Sequence, residues 1–480
     1  MARTRRAIGL VLLAAATGCT LGPEPERPAT AADGAAGWVH AEGEPPAAVD
    51  DAPSPWWRRF GDPATEALVE LALDRNTDLA AAAARLIAAE ASLRAATGAR
   101  LPQVSAGLSA TEQRSSFVLP GLGRVQVDSR TYAEDLNVSW AADLFGKLRR
   151  SRQAAWAGLL AEEASRDAMV HAVIAQTVRT RTRIAVLERG LEVASRVRAS
   201  WEETLETVER RYRSGLVQAV DVHLARENLA ATRIQEVAAA EQLAFARHAL
   251  DVLVARRPGT GPEVPDTLGD LPSPDPVPVG LPASLLDRRP DLRASEMRLA
   301  AATYGIGVAL ADLYPSLSLT GSTGVRSDEL GDLVSSDALV YTLVAGLTAP
   351  IFSGGRLRAE VDAARARADE AAAGYAGLVL TALREVEDAL VRNAAAAERV
   401  ELARTRVADA RAADRLARER YGRGVERLLF VLETERRLRV AEEALISATG
   451  DLWDARVDLF LALGGDWVEE KAADGADEEA

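Results

Sequence analysis

Four histidines and one cysteine are the residues of this 480-residue chain best suited to metal or redox chemistry, and their spacing works against both. His40, His171, His223 and His248 lie far apart, so no short segment offers the paired imidazoles of a helical zinc site. A single cysteine, Cys19, makes neither an intrachain disulfide nor a thiolate cage. Gly305-Ile-Gly307 falls in a helical stretch with no strand before it, which is not a dinucleotide fingerprint, and no phosphate loop or nucleophile–base constellation appears. The expectation is a protein without a catalytic centre, metal or cofactor. The 57 Lys+Arg against 71 Asp+Glu give a net charge of −14 with no basic stripe, so nucleic acid is not an expected partner. What remains is a set of elements: 48% hydrophobic residues with only 5% aromatics, rich in alanine, indicate long helices packed through small side chains.

Residues 1–18 read as an export signal: Arg3, Arg5 and Arg6 precede the apolar run Ala7 to Ala16, which is too short to span a bilayer as a helix. Ala16-Thr17-Gly18-Cys19 resembles a bacterial lipobox, which would make Cys19 the acylated first residue of the mature chain; the alternative is an ordinary signal peptide cut nearby. Thr20 rather than Asp after the cysteine implies, by the same resemblance, sorting to the outer membrane. No later segment has eighteen uninterrupted apolar residues, so any crossing of a membrane must use strands. Residues 19–60 have the composition of a proline-rich tether, 257–283 form a second proline-rich linker, and 466–480 form an acidic tail expected to be disordered.

Between these segments the chain repeats itself. Asp78-Leu79 and Pro102 recur as Asp291-Leu292 and Pro315 at an offset of 213. Gly146 to Arg149 (GKLR) recurs as Gly355 to Arg358 (GRLR), and Arg211 to Gly215 (RYRSG) as Arg420 to Gly424 (RYGRG), both at 209. Residues 61–256 and 284–465 are therefore tandem repeats, with the four-residue difference falling between Pro102 and Gly146.

Each repeat starts with Ala-rich helix (62–100 and 284–313). A strand with alternating polarity follows: Val104, Ala106, Leu108 and Ala110 face one way against Gln103, Ser105, Gly107 and Ser109; Leu317 and Leu319 oppose Ser316, Ser318 and Thr320. Return strands follow, with Tyr132, Leu136, Val138 and Trp140 in one repeat and Leu339, Tyr341, Leu343 and Leu347 in the other. Strands of roughly ten residues suit a tilted bilayer crossing, although a half-buried soluble sheet alternates in the same way. Then Gly146 to Arg211 and Gly355 to Arg420 run without proline, about 100 Å each as continuous helix. From Leu187 through Leu191, Ala194, Val197, Trp201, Leu205 and Val208 to Tyr212 the apolar steps average about 3.6 residues, near the coiled-coil period. Each long helix should turn at Gly215 or Gly424 and return as an antiparallel partner. Four strands cannot close a barrel, and an open edge in lipid leaves unpaired backbone groups, so several copies must pool their strands; three copies give twelve.

Five phrases in order now carry a family resemblance: WAADLFGKLRR at 140–150, RRPDLR at 288–293, ADLYPSLSLTG at 311–321, PIFSGGRLR at 350–358 and REVEDAL at 384–390. They resemble the outer membrane factor (TolC-like) family, most closely its lipoprotein branch in resistance-nodulation-division (RND) efflux. The resemblance implies an α+β membrane protein whose homotrimer builds a twelve-stranded β-barrel in outer-membrane lipid and a periplasmic α-barrel of coiled-coil helices. It implies a passive conduit served by a periplasmic adaptor and an inner-membrane RND-type pump. Tyr212 and Gly215, with Tyr421 and Gly424, match the family's Tyr-x-x-Gly tips that receive the adaptor. Asp221 and Glu433 match acids of the periplasmic aperture, where a ring of carboxylates would attract cations. Phe430 stands where some relatives have a second acid, and Glu426 where some have a basic latch. The alternatives are the channel of a type I protein secretion system, or a lipid-anchored coiled-coil scaffold that leaves the paired hairpins unexplained.

Overall fold

The computed structural model describes residues 20–33, 37–41, 55–119, 123–260, 271–272, 285–330 and 339–465. The export signal, Cys19, most of the second proline-rich linker and the acidic tail lie outside the described residues.

A 3-10 turn at Trp56–Phe60 leads into α1 (Pro63–Arg75) and α2 (Thr77–Gly98), then strands β1 (Gln103–Leu119) and β2 (Gly123–Ala142), the long helix α3 (Lys147–Arg213) and its return α4 (Ala219–Leu253). The second repeat runs α5 (Leu285–Arg288), α6 (Pro290–Ala311), β3 (Ser316–Ser327), β4 (Leu339–Thr348), α7 (Arg356–Gly422) and α8 (Leu428–Ala462). The helices match in length: 22 residues in α2 and α6, 67 in α3 and α7, 35 in α4 and α8.

The Ala-rich stretches are each broken once. Asn76 interrupts the first by accepting the Asp78 N–H on Oδ1, while its Nδ2 donates to the Leu253 carbonyl at the end of α4. The buried Arg289, 213 positions later, interrupts the second and donates to the Ala462 carbonyl at the end of α8. Two different side chains thus tie each break to the same place on its return helix, satisfying carbonyls that a helix end leaves orphaned.

The chain divides into two compact units that cut across the repeats. One comprises 1–28, 85–163 and 294–376; the other comprises 29–84, 164–293 and 377–480. The first holds an antiparallel sheet in the order β1-β2-β3-β4, whose outer strands have, among the described residues, no partner along one edge. Its register puts Val104, Val138, Gly321 and Leu343 in one row, and Ser105, Asn137, Ser322 and Thr342 in a row on the opposite face. The apolar face runs six rows, from Ala142, Leu317 and Leu347 to Ala110, Tyr132 and Ser327, with Glu134 its one charged residue. At about 3.4 Å per residue and a tilt near 45° that band is about 24 Å tall, the height of an outer-membrane lipid zone. Leu343 and Leu347 are 78% and 68% exposed, so no layer of the described chain covers this face.

Strands of roughly ten residues hold for β3 (12) and β4 (10), but β1 and β2 have 17 and 20. Beyond Tyr132 the apolar parity carries the ion pairs Glu112–Arg130 and Arg114–Asp128, so the extra ladder lies past the apolar band and hydrates as a two-stranded ribbon. The first hairpin (103–142) exceeds the second (316–348) by seven residues, and the linker 349–355 returns three relative to 143–146, leaving the net four.

Also in this unit, residues 20–28 are seated rather than hanging as a tether. Arg150, its side chain almost wholly buried, donates from Nε to the Leu21 carbonyl at 2.9 Å and from Nη2 to the Gly22 carbonyl at 3.1 Å, and pairs with Glu24. Arg149 reaches the Thr20 hydroxyl at 2.7 Å, and Arg27 pairs with Glu296. A Cβ on Gly307 would lie 2.6 Å from the Leu21 carbonyl oxygen, which explains a glycine in mid-helix: the strap crosses α6 in backbone contact. Proline-rich composition excluded helix here but said nothing about carbonyls captured by an arginine.

The second unit is centred on an aromatic core. Trp56 stacks on Phe460 at 5.2 Å, Phe60 meets Trp453 at 4.6 Å, and Val69, Ile174, Val178 and Val457 fill the remainder. Burial of this area is the main driving force for the unit. Trp56 and Trp57 therefore end the N-terminal segment by packing against helices. Among the described residues no helix is long and apolar enough to cross a membrane.

Candidate functional site

The turns joining α3 to α4 and α7 to α8 carry four of the expected site residues, and their backbones are the same to the hydrogen bond. In the first, the Leu216 N–H donates to the Arg211 carbonyl and the Gly215 N–H to Tyr212; in the second, Val425 donates to Arg420 and Gly424 to Tyr421. These are paired six-to-one and five-to-two bonds of a Schellman cap. The cap needs a left-handed residue, and Gly215 and Gly424 take φ of +71° and +77° with nothing near a would-be Cβ. Conformation, not space, demands glycine here.

The two tyrosines differ. Tyr212 is 48% exposed. Tyr421 lies under the Arg211 guanidinium, 4.4 Å from its ring centroid, and both terminal nitrogens of Arg211 also donate to the Tyr421 carbonyl at 3.2 Å. A further bond from Arg211 to the Gly422 carbonyl at 3.1 Å caps the end of α7 with a cation, which complements the negative end of the helix dipole. Beneath the turns, Val208, Val222, Ala225 and Leu428 form a small core with Leu205, Val217 and Leu432 around it. Leu216, Val425 and Leu429 remain exposed at the turns.

The two acids are not equivalent positions. Asp221 is the third residue of α4, and its carboxylate accepts the Gln218 N–H at 3.1 Å within a reciprocal capping box. Its counterpart 209 positions on is Phe430, and Arg427 stands in place of Gln218 with no side-chain cap, so α8 starts without the box. Glu433 is partly exposed on α8, and Arg436 and Arg437, at 3.0 and 2.6 Å, hold its carboxyl down to about 2. Glu426 pairs with Arg420 at 3.5 Å and accepts the Arg427 N–H. Among the described residues no cluster of three potential metal ligands exists.

Sequence reasoning reached the tip glycines and tyrosines, but not the Arg211 clamp or the Asp221 cap. Gln218 and Asp221 are spaced as a capping box is, a signal that was present. Arg211 and Tyr421 lie 210 positions apart, and only the fold brings them together.

Comparison with known proteins agrees with this construction. The model of the outer membrane efflux protein family matches residues 68–256 and 281–465. The chain is 32% identical over 468 residues to the toluene efflux pump outer membrane protein TtgF of Pseudomonas putida, covering 96% of each chain. It is also 32% identical over 470 residues to outer membrane protein OprJ of Pseudomonas aeruginosa, covering 97% of each. The solved outer-membrane channel OprN superposes with a TM-score of 0.85 at 32% identity, over 93% of this chain and 99% of that one. Repeats, sheet and paired helical turns thus have one common source, and the chain belongs to the outer membrane efflux protein family.

Proposed function

We propose that three copies of this outer-membrane efflux protein join their sheets edge to edge into a twelve-stranded barrel, with their coiled-coil helices forming a periplasmic α-barrel, and that the resulting tube conducts passively. The observation that supports this best is the sheet: among the described residues both outer edges are unpaired, one face is apolar over about 24 Å, and the other carries rows such as Ser105, Asn137, Ser322 and Thr342. In hydrocarbon each open edge would cost several kcal/mol per unpaired group, which pairing β1 of one copy with β4 of the next removes. The polar face then lines water. The proposed tube works without chemistry of its own, and energy comes from an RND-type inner-membrane pump linked by a periplasmic adaptor.

In this reading Tyr212, Gly215, Tyr421 and Gly424 form the surfaces that meet the adaptor, and the exposed leucines and valines around the Schellman turns give a helical hairpin something apolar to pack on. Asp221 and Glu433 contribute negative charge to the aperture. The low pKa of Glu433 supports a charge that persists in mildly acidic conditions, while the cap made by Asp221 gives that residue a structural duty as well. Acylation of Cys19 is supported by the lipobox-like Ala16-Thr17-Gly18-Cys19, and the residue that follows, Thr20, is seated against Gly146 four residues past the end of β2. Small molecules are the proposed cargo, in line with the toluene pump named for one relative.

Detergent-extracted protein should behave as a homotrimer, and purified trimer in a planar bilayer should give discrete conductance steps. A stable monomer, or a trimer that never conducts, would overturn the reading.

A further inference from the structure

Duplication creates a pairing ambiguity. Since α3 and α7 match in length, as do α4 and α8, and the turns between them are the same, each long helix offers the other repeat's return helix an acceptable seat. Lengths, turns and apolar period alone do not choose between them.

Four ion pairs within the second compact unit bear on that choice. In the first repeat Arg226 lies 2.7 Å from Glu209, and Arg233 lies 3.0 Å from Glu202. Adding the repeat offset of 209 to every number gives Arg418 at 2.9 Å from Glu435, and Arg411 at 2.7 Å from Glu442. The rungs sit at the same heights on the same pairs of helices, but their polarity is inverted. Carboxylates are on the long helix in the first repeat and on the return helix in the second.

We infer that these inverted rungs are a pairing code, holding each long helix to its own return helix and rejecting the return helix of the other repeat, whether from the same chain or from a second copy. If α3 took α8 as its return, Glu202 and Glu209 would face Glu442 and Glu435. If α7 took α4, Arg411 and Arg418 would face Arg233 and Arg226. Every native attraction becomes a repulsion. As contributors to stability the rungs are weak, because the arginines of the first repeat are more than half exposed. The carboxylates of the second are buried, where desolvation offsets the attraction. Specificity is a difference between partners, and there the sign inversion counts twice. The native contacts between α3 and α8 are compatible with the code, because the α3 groups that meet acids of α8 are Arg179 at Asp458, Arg196 at 3.6 Å from Glu442 and the Ser200 hydroxyl at Glu435, none of them an acid.

The test uses the full-length protein in an Arg198→Gln background, since Arg198 also pairs with Glu202. One variant reverses the first repeat (E202R, E209R, R226E, R233E): both native rungs survive, but all mispaired rungs become attractive. A second neutralises it (E202Q, E209Q, R226Q, R233Q): the native rungs are lost, yet no mispaired rung attracts. Each is refolded from urea into detergent at pH 8, and the recovered oligomer and its thermal unfolding are measured. The code requires the reversed variant to be recovered several-fold less than the neutral one, and the neutral less than the parent, while the folded fraction of the reversed variant melts with the parent. Rungs that act only as stabilising contacts give the opposite order. Recovery of the reversed variant equal to or above the neutral one overturns the code.

Discussion

Replacing Glu435 by glutamine should stabilise the protein at neutral and alkaline pH and leave it unchanged in acid. Glu435 is 5% exposed on α8, and burial, with the negative charge of Asp414 nearby, pushes its carboxyl up to about 7; Arg418 and Ser200 pull the other way without winning. An acid whose folded pKa is raised binds its proton more tightly when folded. Below about 4.5 both states are protonated and nothing is contributed; as pH rises from there to about 7 the folded state loses stability, and above 7 the full penalty applies. A displacement from 4.5 to about 7, at about 1.4 kcal/mol per pH unit, corresponds to roughly 3 kcal/mol per chain. Glutamine mimics the protonated acid and carries no such penalty. Thermal unfolding of detergent-solubilised wild type and Glu435→Gln between pH 4.5 and 8 should show the curves meeting at the acid end and separating upward, with the variant above. If wild type gains on the variant as pH rises, the carboxylate is ionised and net stabilised by Arg418, and burial does not dominate.

Other substitutions test the turns and the strap. Gly424→Val forces a β-branched residue to a φ of +77°, costing about 1–2 kcal/mol locally; efflux-dependent drug resistance should fall while the trimer persists on gels. Arg211→Ala removes a ring contact and the bonds to the Tyr421 and Gly422 carbonyls, worth about 2–3 kcal/mol together, so hydrogen exchange should rise across 419–425 and stay unchanged across 210–216. Because Arg436 and Arg437 hold Glu433 near 2, cation selectivity in planar bilayers should persist as pH falls to about 3, and Glu433→Ala should weaken it at every pH above that. Arg150→Ala frees the Leu21 and Gly22 carbonyls, and the segment 20–28 should become open to proteolysis while the barrel end of the protein stays resistant.

Features set by local rules could be read in advance. Glycine at a left-handed cap, alternation along Gln103 to Ala110, and an offset of 209 shared by two motifs each depend on residues close in sequence, and the helices begin where that offset requires. Features set by pairs across the fold could not. Arg150 capturing Leu21, Arg211 covering Tyr421 and Arg289 reaching Ala462 join residues 129, 210 and 173 positions apart. Asp221 shows the intermediate case: its spacing from Gln218 is that of a cap, whereas the family resemblance implies only aperture charge. The full length of β1 and β2 is not legible because beyond Tyr132 arginine, glutamate and aspartate take over the parity that is apolar below it, on a ribbon that no longer needs an apolar side.

The unequal hairpins bear on how the gene has changed since it doubled. Helices whose copies agree in length to the residue are phase-locked: one inserted residue would rotate everything after it by about 100° and pull a stripe of leucines off its neighbour, so drift in length there is purged. A ribbon end has no such clock. It can lengthen or shorten two residues at a time without turning any side chain to the wrong face, which leaves the outward end of the first copy free to diverge while the inward machinery stays in step.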